Sequence, residues 1–408
     1  MIDKIICYSD SQINNYIITP LISFLRRDLG VCYFLSCKSS FYFFFILIIQ
    51  LTNPEKTFCY ISDNPNVKTG GIILYDELAD DYKVSVDSAK QLNSIADEHL
   101  IPPEKYRIAD NRRWTLTGSQ PNEQTKIKPV PTILLASLFT GIFIVQHEMQ
   151  QNTIWKDVGP FNVREDGKYT AYIDKPGHIY GTYMPSYLLS EFLITSGFNP
   201  DDATLLGGAL GLAYNSYIEV LDGFSIKFGF SPTDWFANIF GAGFFVAQHY
   251  FPVLQNFTPK FMYVNPPWLG EYNRKQAETF IDNYSAQNFY LSVNVHNLLP
   301  EYYKNYWPSW LELSIGYAVY GLSVGTTDNG AELIYHDPHF TKVYGNRKLL
   351  ISLDYNLINL LPEGPGFWNW MRQSLNYFKL PSPTLEIGRI TKFYLLYPFP
   401  MQIGNFRF

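Results

Sequence analysis

The chain has 408 residues, 31 Lys+Arg against 37 Asp+Glu, and a formal net charge of −6. Its charged fraction is 17%, below the roughly 25% of ordinary soluble domains, while Phe, Tyr and Trp together make up another 17%. This composition excludes collagen, coiled coil and wholesale disorder, and without a long Lys/Arg block the chain lacks the phosphate-neutralising surface of a nucleic-acid binder.

What remains is an aromatic-rich protein of a membrane or its boundary, where Trp and Tyr bury a ring while one end stays wet. Residues 1–60 read as a leader. All four cysteines, Cys7, Cys32, Cys37 and Cys59, lie there, so neither a disulfide framework nor a Cys-based metal site holds the main body. Arg26 and Arg27 precede an apolar run at 41–51 (FYFFFILIIQL), too short to span a bilayer but as long as a signal-peptide h-region. The basic-then-apolar order predicts a signal peptide and export to the cell envelope. The run stands far from the first residue, and translation from near Leu29 or Val31 would account for that. Cys59 is a candidate lipidation site, against an unlipidated signal or a retained anchor, because Thr57-Phe58 match poorly the small residues of a lipoprotein signal.

Residues 61–130 are polar and punctuated, with Gly70-Gly71, Pro102-Pro103 and 117–131 (TGSQPNEQTKIKPVP), the composition of a linker. Within them Ala89, Leu92, Ile95 and Ala96, following Asp87 and Ser88, predict one short amphipathic helix.

Residues 131–258 are organised differently. The stretch 133–145 (ILLASLFTGIFIV) is apolar on every face, and apolar stretches recur at 187–194, 203–217 and 235–251. Small residues inside them, Gly207, Gly208, Ala209, Gly211 and Ala213, then Gly241, Ala242, Gly243 and Ala247, favour helices over strands. Gly207 and Gly211 form a small-xxx-small pair, which suits close helix approach in lipid or tight packing in a soluble core.

Polar residues interrupt these stretches. Asp174 and His178 are four apart, on one face if a helix begins there, with Pro176 tolerated in its first turn. Glu219 and Asp222 fall at the end of the second apolar helix, and Ser231-Pro232-Thr233-Asp234 opens the third, with Asn238 four residues on. Helices packed side by side would gather Asp174, His178, Glu219, Asp222, Asp234 and Asn238 into a carboxylate-rich pocket with one imidazole. Three readings stay open: a divalent metal of the Mn, Fe or Zn type with His178 as nitrogen donor; His178 as a general base oriented by Asp174; or acids that cap helices and pair with Lys175 and Lys227. No HExxH or paired CxxC motif chooses among them, and no cofactor is named.

These segments, 172–178 (YIDKPGH), 218–225 (IEVLDGFS) and 229–234 (GFSPTD), with Ala237-Asn238 and Gly241-Ala242, resemble the YfiM-like family of bacterial predicted periplasmic lipoproteins. The order DKxxH, acidic helix end, then SxxDxxAN is also similar to VanZ-like membrane proteins, although EVLDG replaces their usual Glu followed by Gln. The likeness extends to 310–317 (WLELSIGY), 347–354 (RKLLISLD) and 379–386 (KLPSPTLE), so that it covers about 130 to 400. It implies an envelope location, in the periplasm or outer membrane, and no defined activity.

From 259 to 408 the period changes to two. Leu311, Leu313, Ile315, Tyr317 and Val319 alternate with Glu312, Ser314, Gly316 and Ala318; Leu349, Ile351, Leu353, Tyr355 and Leu357 alternate with Lys348, Leu350, Ser352, Asp354 and Asn356. Weaker alternation at 292–297 and 385–397 completes an antiparallel sheet with one apolar and one small or polar face. Outer-membrane barrel strands read the same way. His336 and His339 stand in a loop and could hold a metal or be solvated, while Trp307-Pro308-Ser309-Trp310 and Trp368-Asn369-Trp370 suit sugar stacking or interfacial anchoring.

The expected fold class is α+β, a helical membrane-associated core rich in small residues followed by an antiparallel β region, with an outer-membrane β-barrel carrying a helical insertion as the alternative. The expected function is a structural or binding component of the envelope, against a hydrolase or transferase acting on envelope lipid or glycan. Expected partners are membrane lipid and an envelope protein or glycan.

Overall fold

The computed structural model describes residues 114–408 apart from 120, 272–280, 326, 327, 329, 340, 404, 405 and 408. The four cysteines, the signal-like run, the linker up to 113 and the short helix expected near residues 89–96 lie outside the described residues.

Four long helices form where the apolar stretches predict them. Helix α1 (Pro129–Gln151) starts at a proline, whose missing N–H costs nothing in a first turn. It is the one described helix long and apolar enough to cross a membrane, and only Phe143 and Gln150 along it are buried. One side meets the third helix, where Phe143 lies 5.3 Å from the Tyr217 ring. Helix α2 (Asp174–Thr195), helix α3 (Pro200–Phe224) and helix α4 (Pro232–Tyr250) make a three-helix unit. Asn199 caps α3 by accepting from the Asp202 N–H at 2.8 Å. Ser231 occupies the cap position of α4, but its side chain makes no cap hydrogen bond.

Small residues set the distances between these helices. A Cβ on Gly211 would stand 2.2 Å from Ser186 Oγ of α2, and one on Gly241 would stand 2.3 Å from Ile179 O. Both approaches are closed to any larger side chain. The small-residue pattern is therefore helix-to-helix contact within this unit, and Gly241 is what lets α4 reach α2 beside His178.

After α4 come strands β1 (Phe257–Tyr263) and β2 (Gln287–Val293), short helices α5 (Val295–Leu298) and α6 (Glu301–Lys304), and strand β3 (Leu311–Val324). Strands β4 (Glu332–His336) and β5 (Lys342–Tyr355), helices α7 (Leu357–Leu360) and α8 (Phe367–Leu375), and strands β6 (Ser382–Ile387), β7 (Lys392–Tyr397), β8 (Gln402–Ile403) and β9 (Phe406–Arg407) follow. The main sheet has seven antiparallel strands in the order β1-β2-β3-β5-β6-β7, with β4 also on β5. It is open. The α+β class holds, and the strand pairing among the described residues forms no closed barrel, which corrects the barrel alternative. Asn294 and Asn356 stop two expected strands early: each caps a helical turn by accepting from the N–H three residues on. Residues 295–297 and Leu357 are therefore helical.

The burial of this sheet is inverted. Register aligns Leu291, Ile315, Ile351, Leu385 and Phe393 across five strands, and all five are exposed, Ile315 at 51%. The alternate positions carry Glu312, Ser314, Ser352, Asp354, Thr384 and Glu386, and all are buried. The sheet curls so that these polar faces meet. Lys260 on β1 reaches the Tyr355 carbonyl at 2.8 Å and Glu312 at 3.0 Å, and Asn288 on β2 donates to the Tyr397 hydroxyl on β7 at 2.8 Å. Phe261 N–H donates to the Tyr377 carbonyl at 3.2 Å, so the segment leading into β6 lies along the outer edge of β1. On the apolar face, α2 covers only the Phe261, Phe289 and Tyr317 end, where Tyr180 stacks on Phe261 at 5.6 Å.

Candidate functional site

Helices α2 and α4 begin, and α3 ends, at one place. A loop from Asn162 to Ile173 closes over it, fixed by the reciprocal backbone bonds Arg164 N–H to Phe230 O (2.9 Å) and Phe230 N–H to Asn162 O (2.9 Å). Just before α2 the loop puts two non-glycine residues in the left-handed region, Ala171 (φ 54°) and Tyr172 (φ 64°), a conformation that costs about 1–2 kcal/mol per residue. Tyr317 from β3 holds the turn by donating to the Ala171 carbonyl at 2.7 Å.

Five of the six residues singled out by sequence meet here, and Lys175 joins two of them, Asp174 and Asp234, to the loop acids Glu165 and Asp166. Its ammonium lies 2.7 Å from Asp234, 3.0 Å from Asp166, 3.1 Å from Asp174 and 3.3 Å from Glu165. Asp166, Asp174 and Asp234 are close enough together to hold a metal ion, but the ammonium occupies the point on which they converge. Asp174 also accepts from Thr170 Oγ1 at 2.5 Å.

His178 stands one turn into α2. Its Nδ1 is 3.3 Å from Glu219 Oε1 and 3.2 Å from Asn238 Oδ1, and its Nε2 is 3.6 Å from Asp234 Oδ1. Thr182 Oγ1 donates to the same Asn238 oxygen at 2.8 Å. The His178 side chain is 23% exposed, whereas Glu219 and Asp234 are nearly sealed at 2% and 3%. His178, Glu219 and Asp234 form the second group of ligand-type atoms close enough for a metal ion.

Asp222 is the sixth residue, and it is engaged elsewhere: Trp155 Nε1 donates to its Oδ1 at 2.6 Å. Sequence reasoning missed Glu165, Asp166, Thr170, Thr182 and Trp155, and gave Lys175 only a pairing role. Their one local sign is the acidic pair Glu165-Asp166 followed by a glycine. His336 ends strand β4 and His339 follows in the next loop; neither belongs to a metal-competent group among the described residues. Trp310 stacks on Tyr355 at 6.3 Å and Trp370 donates to buried Glu191 at 3.0 Å, so these rings are packing contacts.

The electrostatics follow from burial and one cation. Burial pushes Glu219 up to about 9, helped by the Asp234 and Asp222 charges. Burial raises Asp234 to about 8, with Asp174 and Asp166 adding to it, and raises Asp222 to about 7 against the Trp155 hydrogen bond. Asp174 also rises through burial and Asp166. Burial works upward on Asp166 too, but the Lys175 ammonium outweighs it and holds this carboxyl low. Burial lowers His178 against the pull of Asp174, which favours the neutral imidazole. An imidazole next to buried carboxyl groups can take and return a proton, and a neutral ring offers a nitrogen lone pair that can ligate a cation.

The sequence model of one family, described as "Predicted periplasmic lipoprotein (DUF2279)", matches residues 162–249. The matched span begins in the loop over the cluster and ends in α4, so it contains every residue of the site except Trp155 and Tyr317, while the strands lie outside it. The match fits the expected location in the cell envelope, in the periplasm. Neither the curated proteins nor the solved structures provide a match.

Proposed function

We propose that this protein is a structural or binding component of the cell envelope that seats against membrane lipid through the apolar outside of its sheet and through α1. The inverted sheet carries this reading. A strand that buries Glu312 and Ser314 while exposing Leu313 and Ile315 is stable in water only at the expense of a large wetted apolar surface. Against acyl chains the same arrangement costs nothing, and the charges inside are paired: Lys260 with Glu312 and Asp354, Lys348 with Glu386. Helix α1 adds a second outward apolar surface, with Ile133, Leu134, Leu138, Ile142 and Val145 all exposed. Likeness to YfiM-like and VanZ-like proteins in the helical unit belongs with the same proposal. In it, Lys175 and its carboxylates tie the starts of α2 and α4 to the loop over them, and His178 with Glu219 brings in the end of α3.

The test is flotation of the full chain with phosphatidylethanolamine/phosphatidylglycerol vesicles, followed by alkaline carbonate. The protein should float and resist extraction. A monodisperse protein that stays at the bottom of the gradient in detergent-free buffer would overturn the proposal.

A second reading is favoured by the exposure of His178, the accessible imidazole of an otherwise sealed acid/base group: a hydrolase or transferase acting on envelope lipid or glycan. Substituting His178→Gln separates the two. A variant that folds with an unchanged melting curve but no longer complements a deletion supports chemistry at the ring; full complementation supports the structural role.

A further inference from the structure

The cluster contains a carboxylate that its own cation does not serve. Lys175 contacts Glu165, Asp166, Asp174 and Asp234, and the partners of Glu219 are the His178 imidazole and the Ser231 N–H at 3.4 Å. Glu219 also sits near the C-terminal end of α3, where the helix dipole disfavours negative charge.

Two oxygens, from Glu219 and Asn238, face one nitrogen of His178. His178 Nδ1 is 3.3 Å from Glu219 Oε1 and 3.2 Å from Asn238 Oδ1. Ligands about 2.0–2.1 Å from a tetrahedral ion stand about 3.3 Å apart, so the spacing is that of a coordination edge. Behind the ring, Asp234 faces Nε2, the position from which a carboxylate orients a metal-bound imidazole.

A second observation comes from Asn238. It is completely buried, and its Nδ2 has no hydrogen-bond partner. The fold thus holds the amide oxygen toward His178 and Thr182 although this leaves Nδ2 unpaired, at a cost of about 1–3 kcal/mol. The amide directs its oxygen at His178, with Thr182 donating to one lone pair at 2.8 Å and leaving the other for the site.

We propose that His178 Nδ1, Glu219 Oε1 and Asn238 Oδ1 bind a divalent first-row transition-metal ion of the zinc or manganese type, with Asp234 as the group that orients the imidazole. One nitrogen with two oxygens suits these ions better than calcium or magnesium, which take oxygen alone. Lys175 then has a defined part, engaging Asp166, Asp174 and Asp234 and leaving Glu219 as the carboxyl that faces the metal. The His178 side chain is 23% exposed, so water or a ligand oxygen could reach an ion held there.

The test uses the full chain, stripped with EDTA and dialysed against Zn2+ or Mn2+, with bound metal measured by plasma mass spectrometry and affinity by titration calorimetry. One ion per chain is expected. Glu219→Gln keeps the shape and removes the charge, and should weaken binding at least about tenfold. Asn238→Asp adds an anionic ligand and should tighten it, which keeps the test decisive if Glu219→Gln does not fold. His249, paired with Asp201 on the surface, serves as the control through His249→Gln, which should leave binding unchanged. Stoichiometric binding that neither Glu219→Gln nor Asn238→Asp alters, or no binding of either ion by folded protein, would overturn the assignment.

Discussion

Replacing Lys175 with methionine removes the one ammonium that serves Asp166, Asp174 and Asp234 while keeping most of the side-chain volume. Asp174 and Asp234 are 1% and 3% exposed, so neither gains water when the cation goes. Breaking a buried ion pair from one side costs about 3–5 kcal/mol, because the charge left behind is uncompensated. At about 2–4 °C per kcal/mol, Lys175→Met should lower the melting temperature by roughly 6–20 °C at pH 8. The loss should depend on pH in one direction. Glu219 and Asp234 have folded values near 9 and 8, above their unfolded values, so the native state holds more protons than the unfolded chain between about pH 4 and 9. Their contribution is fully present below the unfolded pKa and is lost as pH rises through the folded one. Asp166 is held low by Lys175, so its contribution is present above the unfolded pKa and is lost as pH falls through the folded value. Removing the ammonium deletes that acid-side contribution and raises the other carboxyls further, so the deficit of the variant should shrink from pH 8 to pH 5. Circular-dichroism melts of both proteins at the two pH values measure this. A drop under about 2 °C, or an equal drop at both pH values, would refute the idea that Lys175 compensates buried charge.

Gly241→Val should destabilise the fold by about 1–3 kcal/mol and disturb the His178 site, because its side chain would meet Ile179 O at 2.3 Å. Gly243→Ala, in the same helix with open space around it, should be neutral or stabilise by up to about 1 kcal/mol; paired melting curves report both. In the sheet, Lys260→Met should cost about 3–5 kcal/mol by stranding Glu312 and Asp354, and denaturant titration should show this as a lower midpoint with unchanged slope. A double change of Ile315→Asp and Ile351→Asp should leave the interior intact and reduce the fraction floating with vesicles.

The helices were legible because their apolar stretches carry small residues such as Gly207, Gly211 and Gly241, with Ser231-Pro232 opening α4; Pro129 and Pro200 begin α1 and α3 in the same first-turn way. The strands were legible as alternation, but alternation carries no sign. Whether Ile315 or Ser314 turns inward depends on the medium outside, which the period cannot report. The ends of strands were misread where Asn294 and Asn356 cap helical turns, although an asparagine ahead of such a turn is a readable cue. Within the site, helix-end spacing was enough to assemble Asp174, His178, Glu219, Asp234 and Asn238. The loop carboxylates Glu165 and Asp166 were not foreseen, because only the tertiary bridge between Asn162 and Phe230 brings them over α4. Asp222 was drawn away by Trp155, a residue 67 positions earlier that no local pattern connects to it.

Lipid contact by the outward face of the sheet is tested most directly by site-directed spin labelling. With Cys7, Cys32, Cys37 and Cys59 changed to serine, a nitroxide placed at Ile315→Cys, Ile351→Cys or Leu385→Cys reports its surroundings in vesicle-bound protein through power saturation with oxygen or a water-soluble nickel chelate. Lipid contact predicts high oxygen and low nickel accessibility at all three positions, with an exposed loop site such as Asp337→Cys showing the reverse. High nickel accessibility at Ile315, Ile351 and Leu385 would mean that water covers this face, and the membrane-seated reading of the sheet would fail.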